Sequence, residues 1–146
     1  MEAGMSSPAR SFRELSVWRH AHELVLAVYR FTQRFPDEEK FGLTSQIRRA
    51  AVAVPANIAE GFSKRGARDK LRFFNISQGS LEEVHYYLIL AGDLGCGDSA
   101  ALIEQCDRVG KLLYGYCHAI RRSLSTPSAP HPPLPASRSP LPVSLS

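Results

Sequence analysis

Apolar residues recur at steps of three and four in four separate stretches of this chain, the period of a helix with one buried face. The stretches run from Val17 to Phe35, from Ile47 to Ile58, from Leu71 to Ala91 and from Ile103 to Leu124. Short polar or glycine-rich connectors separate them, and such connectors join antiparallel neighbours. The pattern therefore predicts an all-α fold, an antiparallel up-down four-helix bundle over residues 15–124.

Capping and breaking residues place the ends of the four predicted helices. The first helix extends to about Arg34 before Pro36, and the third extends from about Ala67 to Leu94. The predicted N-caps are Ser16 for the first helix, Thr44 or Ser45 for the second, and Ser99 or Asp98 for the fourth.

The second predicted helix is apolar nearly all round, because residues 50–59 are alanine, valine, isoleucine and proline except for Asn57. A helix of this kind needs packing partners on two sides, so it lies either deep in the monomer or also in a subunit interface. We favour the subunit interface. Pro55 removes one backbone donor within this helix, so we expect a kink or a restart there. Gly79 in the third helix suggests that a neighbouring helix approaches closely.

The two ends of the chain lack helical periodicity. Residues 1–14 are predicted to be a flexible lead-in. Residues 125–146 hold seven of the ten prolines, and this composition predicts a disordered proline-rich tail. PHPPLP within it could be a polyproline ligand for an aromatic groove, and the alternative is an extension without a role.

The composition bounds the class of protein. At 146 residues and 44% hydrophobic content, the chain suits one globular domain. It has no apolar run of membrane-spanning length and no apolar N-terminal segment of the secretory kind, so we expect no membrane partner. Its three cysteines have no paired spacing, which argues against a disulfide framework or a zinc site and favours a reducing, cytoplasmic location.

The basic residues are unevenly distributed. Residues 48–72 hold seven basic and two acidic side chains, whereas the whole chain has a net charge of +4. Such a region is a candidate surface for phosphates or an acidic partner. The predicted nucleic-acid-binding residues are Arg48, Arg49, Lys64, Arg65, Arg68 and Arg72. The alternative is a solvated helix end with internal ion pairs. Aromatic residues do not interleave with these cations at the predicted exposed positions, so no stacking platform is predicted from them.

A second set of polar residues occurs within the second and third predicted helices: Gln46, Asn57, Glu60, Ser80 and Glu83. They could be read as an active site between the two helices. We interpret them instead as a buried structural hydrogen-bond network, with Arg48 or Arg49 neutralising a carboxylate, because buried polar groups need partners.

Glu82 and His85 have the Glu-x-x-His spacing of di-iron bundles, which need such a pair on two helices and further glutamates on the others. The chain has one such pair, since His20 and Glu23 occur in reversed order and Glu104 stands alone. We therefore predict no metal site. Nucleotide fingerprints and catalytic triad motifs are also missing from the sequence, so no catalytic residue and no cofactor are predicted.

Four segments, FRELSVWRHAHELVLAVY, FP, FGLTSQIRRAAVAVPANIAEGF and FFNISQGSLEE, resemble the four-helix bundle protein family first noticed as products of intervening sequences within bacterial 23S rRNA genes. The accessory variability determinant proteins of diversity-generating retroelements look like more distant members. The match covers roughly residues 12–122. The residues that fit the family pattern are Leu15, Val17, Trp18, Phe35, Pro36, Gln46, Ile47, Arg48, Arg49, Asn57, Ile58, Ala59, Glu60, Gly61, Gly79, Ser80 and Glu83.

This resemblance implies a bundle that assembles into a ring, usually a pentamer, without enzymatic activity. In the retroelement relatives a basic ring surface is thought to bind nucleic acid and a reverse transcriptase. Ala53 departs from the family, which often has serine there, and the proline-rich tail has no counterpart. We therefore expect a non-enzymatic homo-oligomer that binds structured RNA or DNA, or a nucleic-acid enzyme such as a reverse transcriptase, through a basic face. The alternative is a protein–protein interaction scaffold without a nucleic-acid role.

Overall fold

The computed structural model describes residues 8–39 and 42–125. Four α-helices account for most of these residues: α1 is Ser16–Thr32, α2 is Leu43–Phe62, α3 is Ala67–Asp93 and α4 is Ala100–Ser125. Within the described ranges there is no β-strand, and the predicted all-α, four-helix fold is confirmed. The tail predicted to be disordered lies, from residue 126 onward, outside the described residues.

Each helix packs against two others: α1 and α3 each contact both α2 and α4. The contacts between α2 and α3 pair early residues of one helix with late residues of the other, namely Gln46 with Tyr87, Val54 with Ser77 and Gly61 with Phe74. Phe74 also contacts Tyr116 of α4, and Ser99 bonds to Leu88. The same reversed order joins α1 to its neighbours, because Thr32 bonds to Arg48 and Phe31 lies against Gly97. This is the order expected of antiparallel neighbours.

The observed caps differ from two of the three predicted ones. Leu15 is the N-cap of α1, so Ser16 is already its first residue. Helix α2 begins at Leu43, whose backbone N–H donates to the Glu39 carboxylate at 3.2 Å. Thr44 and Ser45 are not the cap, because this carboxylate satisfies the first donor one residue earlier. Asp98 does cap α4, since its Oδ1 accepts from the Ala100 N–H at 3.0 Å.

Helix α2 continues through Pro55, so the restart considered in the sequence analysis does not occur. Two side-chain hydrogen bonds reach backbone carbonyls next to the proline. Asn57 Nδ2 donates to the Ala53 oxygen, and the fully buried Ser77 of α3 donates to the Val54 oxygen, each at 2.8 Å. The second bond ties α3 to α2 at the residue before the proline.

Part of the predicted lead-in has regular structure. Phe12–Glu14 form one turn of 3₁₀-helix, capped by Ser11, whose Oγ accepts from the Arg13 N–H at 3.1 Å. The Phe12 ring packs against Trp18, with centroids 5.0 Å apart. The loose lead-in predicted from missing periodicity is therefore wrong for this turn, which is too short to show a period.

The core combines side chains from all four helices, including the fully buried Leu24, Ile47, Phe74, Val84 and Leu113. Cys106 and Cys117 are buried among them, as predicted. Burial, with the charges of Asp107 and Glu82, raises the pKa of the Cys106 thiol to about 12, so this thiol packs as a small apolar group. None of the described helices combines the length and the apolar character that a membrane span requires.

We predict that Gly61→Ala destabilises the protein by about 1–2 kcal/mol. A Cβ atom at Gly61 would lie 2.6 Å from Cε1 of the buried Phe74 ring, and such overpacking outweighs the propensity gain of alanine. The matched control is Gly115→Ala in α4, where a Cβ atom would meet nothing within 4 Å; it should be neutral or stabilise by up to about 1 kcal/mol. Urea denaturation at fixed protein concentration measures both, and equal stability of the two variants would contradict this account.

Candidate nucleic-acid interface

The structure divides the six predicted cationic residues into two groups. Arg48 and Arg49 lie in the first turns of α2, whereas Lys64, Arg65, Arg68 and Arg72 lie at the turn from α2 to α3. The 20 residues of α2 span about 30 Å at 1.5 Å per residue. The two groups therefore do not form one continuous surface on a single chain.

Arg48 joins α1 to α2. Its Nε donates to Thr32 Oγ1 at 2.8 Å and its Nη2 donates to the Tyr29 carbonyl oxygen at 3.3 Å. The guanidinium also lies 4.4 Å from the centre of the Tyr29 ring. Arg48 is half-buried, whereas the neighbouring Arg49 is exposed and donates to Ser45 Oγ at 3.2 Å. Arg48 therefore connects α1 to α2, and these contacts leave little of its guanidinium group available to a phosphate.

Two of the four cations at the α2–α3 turn have partners of their own. Lys64 pairs with Glu60 at 3.2 Å and Arg72 pairs with Asp69 at 3.8 Å. Both also lie over the half-buried ring of Phe73, at 5.1 Å and 4.6 Å from its centre. The ring of Phe73 thus lies between these two cations at a half-buried position, because the turn folds Lys64 back over α3.

Arg65 and Arg68 are both exposed and form no ion pair or side-chain hydrogen bond with any residue that the structure describes. Nearby Lys70 instead donates to the Phe62 and Gly61 carbonyl oxygens, at 2.9 Å and 3.5 Å. Burial lowers its pKa, and its charge lies at the negative C-terminal end of the α2 dipole. Arg65 and Arg68 are therefore the members of the group whose guanidinium groups remain open to a phosphate.

Five more arginines lie at this end of the bundle, and the sequence analysis did not assign them. The order of the helix contacts places the start of α1, the end of α2, the start of α3 and the end of α4 together. We call the resulting surface the basic end. Among the described residues, its ten basic side chains are Arg10, Arg13, Arg19, Lys64, Arg65, Arg68, Lys70, Arg72, Arg121 and Arg122, and its three acidic ones are Glu14, Glu60 and Asp69.

Among the residues that the structure describes, the opposite end of the bundle lacks this excess of positive charge. The basic ones there are Arg30, Arg34, Arg48 and Arg49, and the acidic ones are Asp37, Glu38, Glu39, Asp93, Asp98 and Glu104. The bundle is therefore electrostatically polar along its axis. A polyanion approaching it is attracted to the basic end at long range.

The five polar residues predicted to form a buried network do not bond to one another within one chain. Gln46, Glu60 and Glu83 are exposed. Gln46 Oε1 accepts from the Tyr87 hydroxyl at 3.5 Å, and Asn57 bonds to its own helix. Half-buried Ser80 lies on α3 without a side-chain hydrogen bond to the described residues. These residues do not form a network within one chain because most of them face outward. The apolar character of α2 had suggested that they would be buried.

The outward faces of α2 and α3 carry apolar and small residues. Val52 and Ala56 are exposed at helical spacing on α2, and Ile76 and Tyr86 are exposed on α3. Gly79 lies between these two on α3, and a Cβ atom there would meet nothing within 4 Å. We had expected a neighbouring helix to pack closely against Gly79, but no described part of the same chain does so. We call Val52, Ala56, Ile76, Gly79 and Tyr86 the outer surface.

Glu82 and His85 line a cleft of about 430 Å³ between α3 and α4, together with Asp107, Lys111 and Tyr114. Across residues 8–39 and 42–125, no three or more histidine, cysteine or acidic side chains are arranged to hold a metal ion. His20, Glu23 and Glu104, the other residues weighed as ligands, lie in α1 and α4.

Fold and surface together define an all-α bundle with a strongly basic end. A family model described as 23S rRNA-intervening sequence protein matches residues 13–115, and the chain belongs to this family. The match begins within the 3₁₀ turn and ends in α4, so it includes α1, α2 and α3 in full. A search of curated proteins found no match to the chain.

We expect Arg48→Lys to lower the free energy of unfolding by about 1–2 kcal/mol. Lysine keeps the charge but cannot bond to Thr32 and Tyr29 with a planar fork, and the Thr32 hydroxyl is buried. Arg49→Lys, on the exposed neighbour, should change stability by less than about 0.5 kcal/mol. Chemical denaturation of both variants tests the difference, and a neutral Arg48→Lys would show that these contacts contribute nothing to stability.

Proposed function

We propose that this protein is a non-enzymatic, self-associating helical bundle that binds structured RNA through its basic end. The observation that carries the proposal is the pair Arg65 and Arg68, exposed and unpaired among the described residues, within a surface of ten basic and three acidic side chains. The family description supports RNA as the polyanion, since it names 23S rRNA. The free cysteines agree with a reducing, cytoplasmic location.

Binding at this surface would be electrostatic. Arginine forks match phosphate oxygens, and each phosphate neutralised releases condensed counterions, so affinity falls steeply with salt. The basic end is made of helix termini and turns, and the arginines there reach phosphates without placing a helix in a groove. We therefore expect recognition of backbone and shape, with little discrimination between base sequences.

The first test is fluorescence anisotropy with a short RNA duplex across a salt series, using nuclease-treated protein. Replacing Arg65 and Arg68 together by alanine should weaken binding and reduce the slope of log affinity against log salt by about two. The matched control replaces Arg30 and Arg34, two exposed arginines at the opposite end, and should leave the slope unchanged.

Equal losses from both pairs would mean that binding follows net charge and that the basic end is not a site. Absence of binding by the native chain at low salt would reject RNA binding and leave the alternative, a protein–protein interaction scaffold. In that case an acidic partner protein, such as a nucleic-acid enzyme of the reverse transcriptase kind, is the occupant to test at the basic end.

Self-association through the outer surface is the second part of the proposal. Exposed Ile76 and Val52 and the open space at Gly79 suit the close approach of a helix from another copy. Exposed Glu83 on α3, which has no ion pair or side-chain hydrogen bond with the described residues, would find a partner in that contact. A ring, which the family resemblance suggests is a pentamer, would repeat the basic end and raise the apparent affinity for a long RNA by avidity.

Ile76→Arg should reduce the mass measured by light scattering during size-exclusion chromatography. The added charge would lie within the proposed contact and lose its hydration there. Leu26→Arg is the matched control, because Leu26 on α1 is 43% exposed and Ile76 is 45% exposed. A native chain that runs as a monomer at micromolar concentration would reject self-association, and an Ile76→Arg variant of unchanged mass would reject this surface as the contact.

A further inference from the structure

Helix α4 carries an exposed stripe in which two neighbouring aromatic rings lie between two basic side chains. Lys111, Tyr114, His118 and Arg121 follow one another at steps of three, four and three, and all four are exposed. The rings of Tyr114 and His118 are 6.1 Å apart between centroids and inclined by only 11°. At 62% exposure, Tyr114 is the most exposed tyrosine of the described chain. A tyrosine this exposed contributes little to packing, so its ring is free to contact a partner.

The stripe is continuous with the basic end. Tyr116, two residues after Tyr114, packs on Phe74, and Phe74 lies against Gly61 in the last turn of α2. The helical turn of α4 that contains Tyr114 therefore lies beside the last turn of α2. From there α4 continues toward Arg121 and the basic end. A nucleic-acid strand bound by Arg65 and Arg68 can therefore continue along α4, where Arg121 adds further positive charge.

From this arrangement we infer that the α4 stripe binds unpaired nucleotides, with a base stacked on Tyr114 and the adjoining phosphates on Lys111 and Arg121. The inference rests on the proposed function and adds to it the kind of RNA segment bound: a single-stranded extension or loop next to a helix. Stacking on an aromatic face tolerates any base, and cations beside the ring hold the backbone.

The surroundings of Tyr114 favour the base over the phosphate at the ring itself. Tyr114 borders the cleft between α3 and α4, whose lining includes the acidic Glu82 and Asp107. These carboxylates repel phosphate from the cleft. Lys111 on the cleft lining and Arg121 on the other side of Tyr114 along α4 attract phosphate to either side of the ring.

The sequence interpretation missed this stripe because it looked for aromatic residues only among the six predicted cations. Tyr114 and His118 are more than 40 positions away from Arg65 and Arg68 in the sequence. Only the packing of α4 beside α3 brings them to the same end of the bundle.

The test compares Tyr114→Leu with Tyr29→Leu in the whole chain. Tyr29 is the control, because it is an exposed tyrosine (39%) on α1 and belongs to neither the stripe nor the outer surface. Probes are oligo(U) RNA and oligo(dT) DNA of about 12 nucleotides, an abasic strand of equal length and charge, and an RNA duplex. Anisotropy measures the affinities, and circular dichroism verifies that each variant is folded.

We expect Tyr114→Leu to weaken binding of the single strands by about fivefold or more, with an unchanged salt slope because no charge is removed. Its affinities for the abasic strand and the duplex should stay within about twofold of the native values. Tyr114→Phe should keep native affinity for all probes, and so should Tyr29→Leu.

The inference is overturned if the native protein and Tyr114→Leu bind the single strands with equal affinity. It is also overturned if the native protein binds the abasic strand as tightly as it binds oligo(U). If the duplex still binds and depends on Arg65 and Arg68, the proposed function survives that result. If no nucleic acid binds at low salt, the proposed function and this inference fail together.

Discussion

The close packing of α2 against α3 is the constraint on which the rest of this structure depends. Gly61 lets the Phe74 ring approach the backbone of α2, and Ser77 donates to the Val54 oxygen beside Pro55. Interiors packed at this density tolerate little added volume. The contact sets the register of the two helices, and the register decides which residues of each helix face outward.

That register has two consequences for function. The turn between α2 and α3 projects Arg65 and Arg68 from the end of the bundle, while Lys64 and Arg72 fold over Phe73. The same register leaves small and apolar residues on the outward faces of both helices, with open space at Gly79. The proposed RNA surface and the proposed self-association surface are thus at different places on the same helix pair, so one copy can use both at once.

Charge and shape have separate roles in the proposed binding. The basic end supplies a field that attracts any polyanion and that salt screens. The α4 stripe offers a ring face whose interaction with a base depends on contact and hardly on salt. A chain with both would favour RNA in which a duplex adjoins unpaired nucleotides.

The sequence by itself determined the four helices, because apolar residues at steps of three and four define the buried face of each helix in any bundle. It also determined the buried roles of Cys106 and Cys117 and the family, and it limited the cap of α4 to Ser99 or Asp98. It did not determine how the cations group, since Arg48 and Arg49 are close to Lys64 in sequence but lie at the other end of α2.

Arg10, Arg13 and Arg121 could be assigned to the basic end only from the tertiary structure. Periodicity predicts the buried face of one helix, but it does not predict which helix ends are adjacent. It also placed Gln46, Glu60 and Glu83 outward, where an apolar helix had suggested a buried network. Local pattern thus fixes the elements of this protein, whereas the antiparallel order and the α2–α3 register decide its surfaces.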